Sequence, residues 1–224
     1  MLSAPHGAPQ TRQMVPCWLM QSIEFHSPCL FIGNADITEP EKHWVGQFSG
    51  PIVCADGGAR HCQGRTPNFV IGDGDSWRGH GENVIVDPDQ NTNDLEKCLM
   101  HVQAPRYVGI GFLGGRWDHS LANLSLMLRY PNLILMDATQ SIQACHDHYQ
   151  GQHEPGETIG IIPAGTCAFS LSRGLKYPLT GLELALSGQV GSSNCCTDTD
   201  VEIRGEGSFW LVSNSRIYSK PCSE

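Results

Sequence analysis

From residue 28 to about 137, short apolar runs alternate with amphipathic stretches, a pattern that predicts strands joined by helical crossovers. The strand candidates are CLFIGN (29–34), PIVCAD (51–56), NFVIGD (68–73), ENVIVD (82–87), YVGIGFLG (107–114) and NLILMD (132–137), and nearly all end in Asp, Asn or Gly. Between them, NDLEKCLMHV (93–102) sets Leu95, Leu99 and Val102 at helical spacing behind a Thr92 or Asn93 cap, and SLANLSLMLRY (120–130) does the same with Leu121, Leu124 and Leu128. The expected fold is an α/β amino-terminal domain with a mostly parallel, Rossmann-like sheet.

Past about residue 138 the texture changes to β-type runs punctuated by Gly, Pro and Ser: SIQAC, ETIGIIP, TCAFSLS, GLKYPL, LELALSG, DVEIRG and SFWLVS. No helical pattern there exceeds two turns, which predicts an all-β carboxyl-terminal sandwich. The expected division is a flexible extension over 1–25, an α/β domain over 26–140 and the sandwich over 141–224.

Composition narrows the function classes. A formal net charge of −9 with no basic stripe argues against a nucleic-acid partner. No apolar run approaches the roughly 18 residues of a membrane helix. Ten cysteines are scattered without a CxxC repeat, as expected of reduced thiols in a cytoplasmic protein. Cys145, His146, His148 and His153 fit no standard zinc spacing and are read as a polar hinge. Trp210 is read first as a buried tryptophan, with a flat surface for a cationic heterocycle as the second reading.

The chemistry lies in acidic clusters at the expected strand ends. In IGDGDS, Asp73 and Asp75 are two residues apart and point the same way on an extended segment, where one divalent ion could take an oxygen from each. CADGGARHC places Asp56 before glycines that would open a helix. DPDQNTNDLEKCL sets Asp94 in the first turn of a helix with Lys97 after it, which permits a metal contact and a phosphate contact from one element. GGRWDHSLANL combines Gly114 and Gly115, which remove side-chain bulk, with Arg116, whose planar fork suits phosphate, and with Asp118. It lacks the GxxxxGK of a Walker loop.

The ordered set CADGGA, IGDGDS, DQNTNDLEKCL, GGRWDHSLANL, SRGLKYPLTG and VGSSN resembles the thiamine pyrophosphokinase (thiamin diphosphokinase) family from about residue 29 to 212. The resemblance implies transfer of a pyrophosphoryl group from ATP to the hydroxyethyl oxygen of thiamine, with magnesium, in a homodimer whose active sites lie at the subunit interface. It implies metal-binding and catalytic roles for Asp73, Asp75 and Asp94, with Arg116 beside them. Asp56, Gln90, Thr92, Lys97, Gly114, Gly115 and Asp118 would serve the nucleotide and phosphates, and Ser192, Ser193 and Asn194 the thiamine. Two departures stand out: Gly191 replaces the first hydroxyl residue of the usual STSN, and Asn93 stands where threonine usually precedes the third acid. The alternatives are a related pyrophosphokinase acting on a pterin alcohol, and a non-enzymatic thiamine or nucleotide sensor.

Overall fold

The computed structural model describes residues 22–74 and 83–214. Asp75 and most of the 1–25 extension lie outside the described residues.

The amino-terminal half alternates strand and helix: β1 (Ile23–Glu24), β2 (Cys29–Ile32), α1 (Glu39–Gln47), β3 (Ile52–Ala55), a 3-10 turn (Asp56–His61), β4 (Phe69–Gly72), β5 (Val84–Val86), α2 (Asp94–His101), β6 (Val102–Gln103), β7 (Tyr107–Ile110), α3 (Trp117–Met127) and β8 (Leu133–Met136). All six expected strands form. The expected 93–102 helix appears as α2, whereas α3 begins three residues earlier than the apolar spacing indicated, directly after Arg116. Helix α1 had no apolar periodicity to announce it. Its start is fixed locally, by the Glu41 carboxylate accepting both the backbone N–H and the hydroxyl of Thr38 at 2.6 Å, a cap of the kind that contributes about 1 kcal/mol.

Strands β5-β4-β3-β2-β7-β8 lie side by side and parallel. Strict alternation gives each strand two buried faces. Phe31, Val53 and Ile71 pack with Leu95, Leu99, Leu126 and Met127 of α2 and α3. Leu30, Ile32, Ile52 and Val70 pack with Trp44, Val45 and Phe48 on the α1 side. Helices on both faces explain why these strands read as continuous apolar runs rather than alternating ones.

The rest of the chain is β9 (Gln140–Gln152), β10 (Thr158–Pro163), β11 (Thr166–Arg173), β12 (Glu183–Ala185), β13 (Gly191–Cys195) and β14 (Asp200–Asn214). Every pairing among them is antiparallel. They differ from the expectation in several respects. SIQAC is only the start of a 13-residue strand, and DVEIRG and SFWLVS fuse into one 15-residue strand interrupted by a register shift between Arg204 and Ser208. GLKYPL forms a loop, whereas GSSNC, rich in small polar residues, forms β13.

The two halves do not hold separate sheets. The first residues of β9 pair antiparallel with β8, and its whole length then pairs with β14, so a single mixed sheet of twelve strands runs through the chain. A third core, including Cys145, Ile159, Phe169, Ile203 and Phe209, lies wholly in the antiparallel part. Trp210 seals the junction: it packs against the first core and its Nε1 donates to the Leu124 carbonyl of α3 at 3.0 Å. That is the packing role, taken by a half-buried rather than fully buried indole whose N–H is satisfied.

Candidate active site

The register of the parallel strands decides where the acids emerge. Ile32 pairs with Cys54 and Ile110, Ala55 with Ile71, Gly72 with Val86, and Ile110 with Met136, so all six strands stop along one line. The residues that follow are Gly33, Asp56, Asp73, Asp87, Gly111 and Asp137, and four of the six are aspartates on one rim. The chain runs outward from β2 to β5 and then returns to β7 on the other side of β2. This is a topological switch, beyond which ligands bind in open parallel sheets.

Glycines permit a close approach at that switch. A Cβ on Gly33 would lie 2.3 Å from the Gly111 carbonyl oxygen, so the ends of β2 and β7 meet backbone to backbone. On the neighbouring strands, a Cβ on Gly72 would lie 2.7 Å from the Cβ of Asp56, which places Asp56 against the strand that leads into Asp73. Asp56 is 3 % exposed and holds a left-handed backbone, φ 42°, a conformation uncommon for a residue with a side chain and frequent at functional turns. The expected helix opening at this motif is present as the 3-10 turn.

The DPDQNTND segment is held at both ends. Asp87 accepts from His101 at 3.2 Å, and its other oxygen accepts the Asp89 N–H at 3.0 Å. Asp89 in turn accepts the Asn91 N–H at 2.9 Å. These short-range turns set Gln90 so that its amide donates to Asp73 at 3.3 Å, joining two of the expected site residues. The Thr92 hydroxyl turns back to the Asp89 carbonyl, 3.4 Å away. Asn93 caps α2 by accepting the Glu96 N–H at 2.8 Å, and Asp94 opens the helix half-buried. One turn on, Lys97 is 2 % exposed. A buried ammonium favours an anion beside it, and a phosphate group is one that would serve.

Across the switch, Gly114 and Gly115 both have left-handed backbones (φ 79° and 65°) and open space where a side chain would project. Arg116 does not face this loop. It forms a bidentate pair with Asp118, Nε donating at 3.1 Å and Nη2 donating to the second oxygen. That pairing holds the Asp118 carboxyl down at about 2, through hydrogen bonding from Arg116. Both side chains are exposed, and the pair leaves the Nη1 donors of Arg116 uncommitted to Asp118.

The expected thiamine element lies in β13, at an edge of the antiparallel part. Ser192 and Ser193 are exposed, but Asn194 is 3 % exposed and its amide is committed. Its oxygen accepts the N–H groups of Tyr177 and Cys195 at 3.0 and 2.8 Å, and its nitrogen donates to the Tyr177 carbonyl at 2.7 Å. The histidines read as a polar hinge lie instead in and just after β9. His146 contacts Ser208, and His153 sits between Tyr149 and Glu157, with ring nitrogens 2.8 and 3.0 Å from their oxygens. Among the described residues no three His, Cys, Asp or Glu side chains gather as a ready-made cation cage.

Sequence reasoning passed over Asn123, a buried polar residue of α3 that donates to the Phe112 carbonyl at 2.8 Å. The available signal was an asparagine inside an otherwise apolar helical stretch, where its amide must find partners. It also passed over Arg60, which donates to the Asn34 carbonyl at 2.7 Å and pairs with Asp36 at 3.0 Å, locking the 3-10 turn onto the loop after β2.

Comparison with known proteins bears on both halves. Residues 47–136 match the family model described as thiamin pyrophosphokinase, catalytic domain, and residues 147–206 match that described as thiamin pyrophosphokinase, vitamin B1 binding domain. Thiamine pyrophosphokinase 2 of Arabidopsis thaliana is 28% identical, the alignment covering 72% of this chain and 77% of the relative. Thiamin pyrophosphokinase 1 of Caenorhabditis elegans is 26% identical over 64% and 68%. Two solved structures share the fold. Thiamin pyrophosphokinase from Geobacillus thermodenitrificans superposes with a TM-score of 0.72 at 21% identity, covering 84% of this chain and 97% of that one. The Candida albicans protein gives 0.71 at 17%, covering 87% and 93%. The two family models lie in order along one polypeptide and together match more than half of it, and the chain belongs to the thiamin pyrophosphokinase family.

Proposed function

We infer that this chain is a thiamine diphosphokinase, moving the terminal pyrophosphoryl group of ATP onto the hydroxyethyl oxygen of thiamine and releasing AMP. The observation that carries the reading is the acid rim at the switch of the parallel sheet, in a chain whose second half matches the vitamin B1 binding model. That second match also favours thiamine over a pterin alcohol as acceptor.

In this reading residues 26–140 form the nucleotide-binding part, a Rossmann-like parallel sheet, and residues 141–224 the thiamine-binding β part. The change from parallel to antiparallel pairing near residue 140 supports that division, as does the separate core of the second part.

The donor set suits magnesium, a hard cation that takes oxygen ligands and is commonly held by one or two carboxylates with substrate phosphates completing the shell. Asp73, Asp75 and Asp94 would hold it. Bound there, it supplies neutralisation of the charge that builds on the phosphoryl oxygens. Lys97 places a desolvated positive charge beneath the phosphates, and Gly114 and Gly115 let the phosphate chain lie against backbone. Arg116, oriented by Asp118, offers its remaining guanidinium N–H groups to a non-bridging oxygen, a charge-assisted bond of the stronger kind. Gln90 orients Asp73, while Thr92 and Asp56 shape the nucleotide side. The thiamine oxygen attacks the β-phosphorus, the bond from that phosphorus to the oxygen bridging the α-phosphorus breaks, and AMP leaves with the electron pair. The hydroxyl proton passes to a carboxylate, for which Asp73 and Asp75 are the candidates. Ser192 and Ser193 offer hydroxyls to thiamine, and Asn194 holds their strand against Tyr177.

A second copy of the chain completes each pocket in this reading. The exposed Trp117 and Leu121, one turn apart on α3 beside the glycine loop, support an interface at the rim. A reducing, cytoplasmic setting is supported by the eight described cysteines, all of them free thiols. No helix among the described residues is long and apolar enough to cross a membrane.

Incubation of the purified chain with ATP, magnesium and thiamine, followed by mass spectrometry, should give thiamine diphosphate and AMP in equal amounts. ADP with thiamine monophosphate would overturn the reaction type, and no product with a folded protein would overturn the enzyme reading.

A further inference from the structure

Two elements must grip the same pyrophosphoryl group, and they belong to different helices' surroundings: the start of α2 with Asp94, and the glycine loop after β7. The glycines leave the loop open on one side, with nothing within 4 Å of where a Cβ would stand on Gly114 or Gly115, while the Ser120 hydroxyl of α3 donates to the Gly114 carbonyl at 3.3 Å. Between loop and helix runs a chain of two amides, Asn123 buried and Asn93 half-buried. The Asn123 nitrogen donates to the Phe112 carbonyl at the base of the loop at 2.8 Å, and its oxygen accepts from the Asn93 nitrogen at 3.0 Å. The Asn93 oxygen then accepts the Glu96 N–H at 2.8 Å, capping the helix that begins with Asp94.

The order of donors and acceptors is forced. The Phe112 carbonyl can only accept and the Glu96 N–H can only donate, so both amides have one workable orientation, and turning either breaks two bonds. Farther along, Arg129, just past the end of α3, pairs with Glu96 of α2 at 2.7 Å, where the arginine is exposed and the pair contributes little. Threonine or serine at position 93 would still cap α2, but neither has an amide nitrogen to reach Asn123. The asparagine that departs from the usual threonine is therefore what closes the chain of bonds.

We propose that Asn123, bonded to Asn93 and to the Phe112 carbonyl, is a positioning residue that fixes the spacing between Asp94 and the glycine loop for pyrophosphoryl transfer. This rests on the thiamine diphosphokinase reading above. Neither asparagine touches the reacting atoms. Their part is to keep two binding elements in one geometry, the kind of alignment whose loss lowers turnover by one to two orders of magnitude.

The test uses Asn93→Thr, Asn123→Ala and the double variant in the full chain. Asn93→Thr keeps the cap and should melt near the parent, yet turnover should fall about tenfold, with the KM for thiamine unchanged. Binding of a non-hydrolysable magnesium–ATP analogue, read by calorimetry, should weaken several-fold. The double variant should be no worse than Asn123→Ala alone, because both substitutions break one chain of bonds. Faster amide exchange at Leu113 and Gly114 in both single variants gives a readout independent of activity. Parent-like turnover and analogue binding in both single variants, or strictly additive losses, would overturn the proposal. An inactive parent would instead overturn the function reading, and the exchange measurement would still decide whether the amides hold the loop.

Discussion

The parallel and antiparallel parts of this sheet treat their polar residues in opposite ways. In the parallel part every strand points the same way, so the residues that close the strands share one rim, and Asp56, Asp73, Asp87 and Asp137 collect there without a turn designed to bring them together. In the antiparallel part successive strands reverse, and polar groups are consumed internally. Asn194 stitches β13 to Tyr177, and Glu202 accepts from Arg173 and Arg204. Direction alone makes one part a natural site for charged chemistry and the other a scaffold that presents a few hydroxyls from an edge.

The largest expected effect tests the rim. Asp73→Asn should lower turnover by about a hundredfold or more, the loss expected when a ligand to transition-state charge is removed, with the melting temperature unchanged. Turnover near the parent value in a folded variant would strike Asp73 from the site. The converse experiment is Asn194→Ala. Three hydrogen bonds of a buried amide are lost and the Tyr177 carbonyl is left without its donor, so denaturant unfolding should show a loss of about 2 kcal/mol. Turnover of the folded fraction should stay within a few-fold. If turnover collapses while stability holds, the division between a chemical part and a scaffold part fails.

The smallest effect is a pH dependence on the parallel side. His61 packs beneath the loop after β2, with Nε2 3.0 Å from the Ala35 carbonyl and 3.1 Å from Arg60 Nε. Burial, and then the Arg60 charge, lower its pKa below the ordinary histidine value. The unfolded chain therefore takes up a proton first as pH falls, so the stability from neutral His61 is fully present above about 6.5 and declines below it. The melting temperature should drop between pH 7 and 5.5, and less so in His61→Gln. An identical drop in that variant would assign the effect elsewhere. Asp118, held near 2 by Arg116, stays ionised throughout this range and should add no step.

Much of the parallel half was legible because its strands are short, buried on both faces and closed by Asp or Gly, which mark their ends in the chain itself. Helix α1 escaped because its cap residues carry the signal and its apolar face is small, while α3 began early because Trp117 and Asp118 belong to a helix whose first turn faces solvent. The antiparallel half was less readable. A β-bulge such as that at Gly205–Gly207 looks like a turn in sequence, which split β14 in two, and a polar strand such as GSSNC has no alternation to detect. Among the candidate site residues, Asp56, Asp73 and Lys97 were named from their clusters and Gln90 from the family resemblance. Asn123 was not, because its partners lie 11 and 30 residues away.

The order of the strands and the acids that close them between residues 29 and 137 was determined by the sequence, because apolar runs bounded by Gly and Asp admit one local reading. Tertiary structure alone decided that β9 would join the halves into one sheet and that Asn194 would be spent on Tyr177. Those outcomes depend on which groups meet across long separations, where packing and the need to satisfy buried polar atoms select among partners that local pattern leaves equivalent.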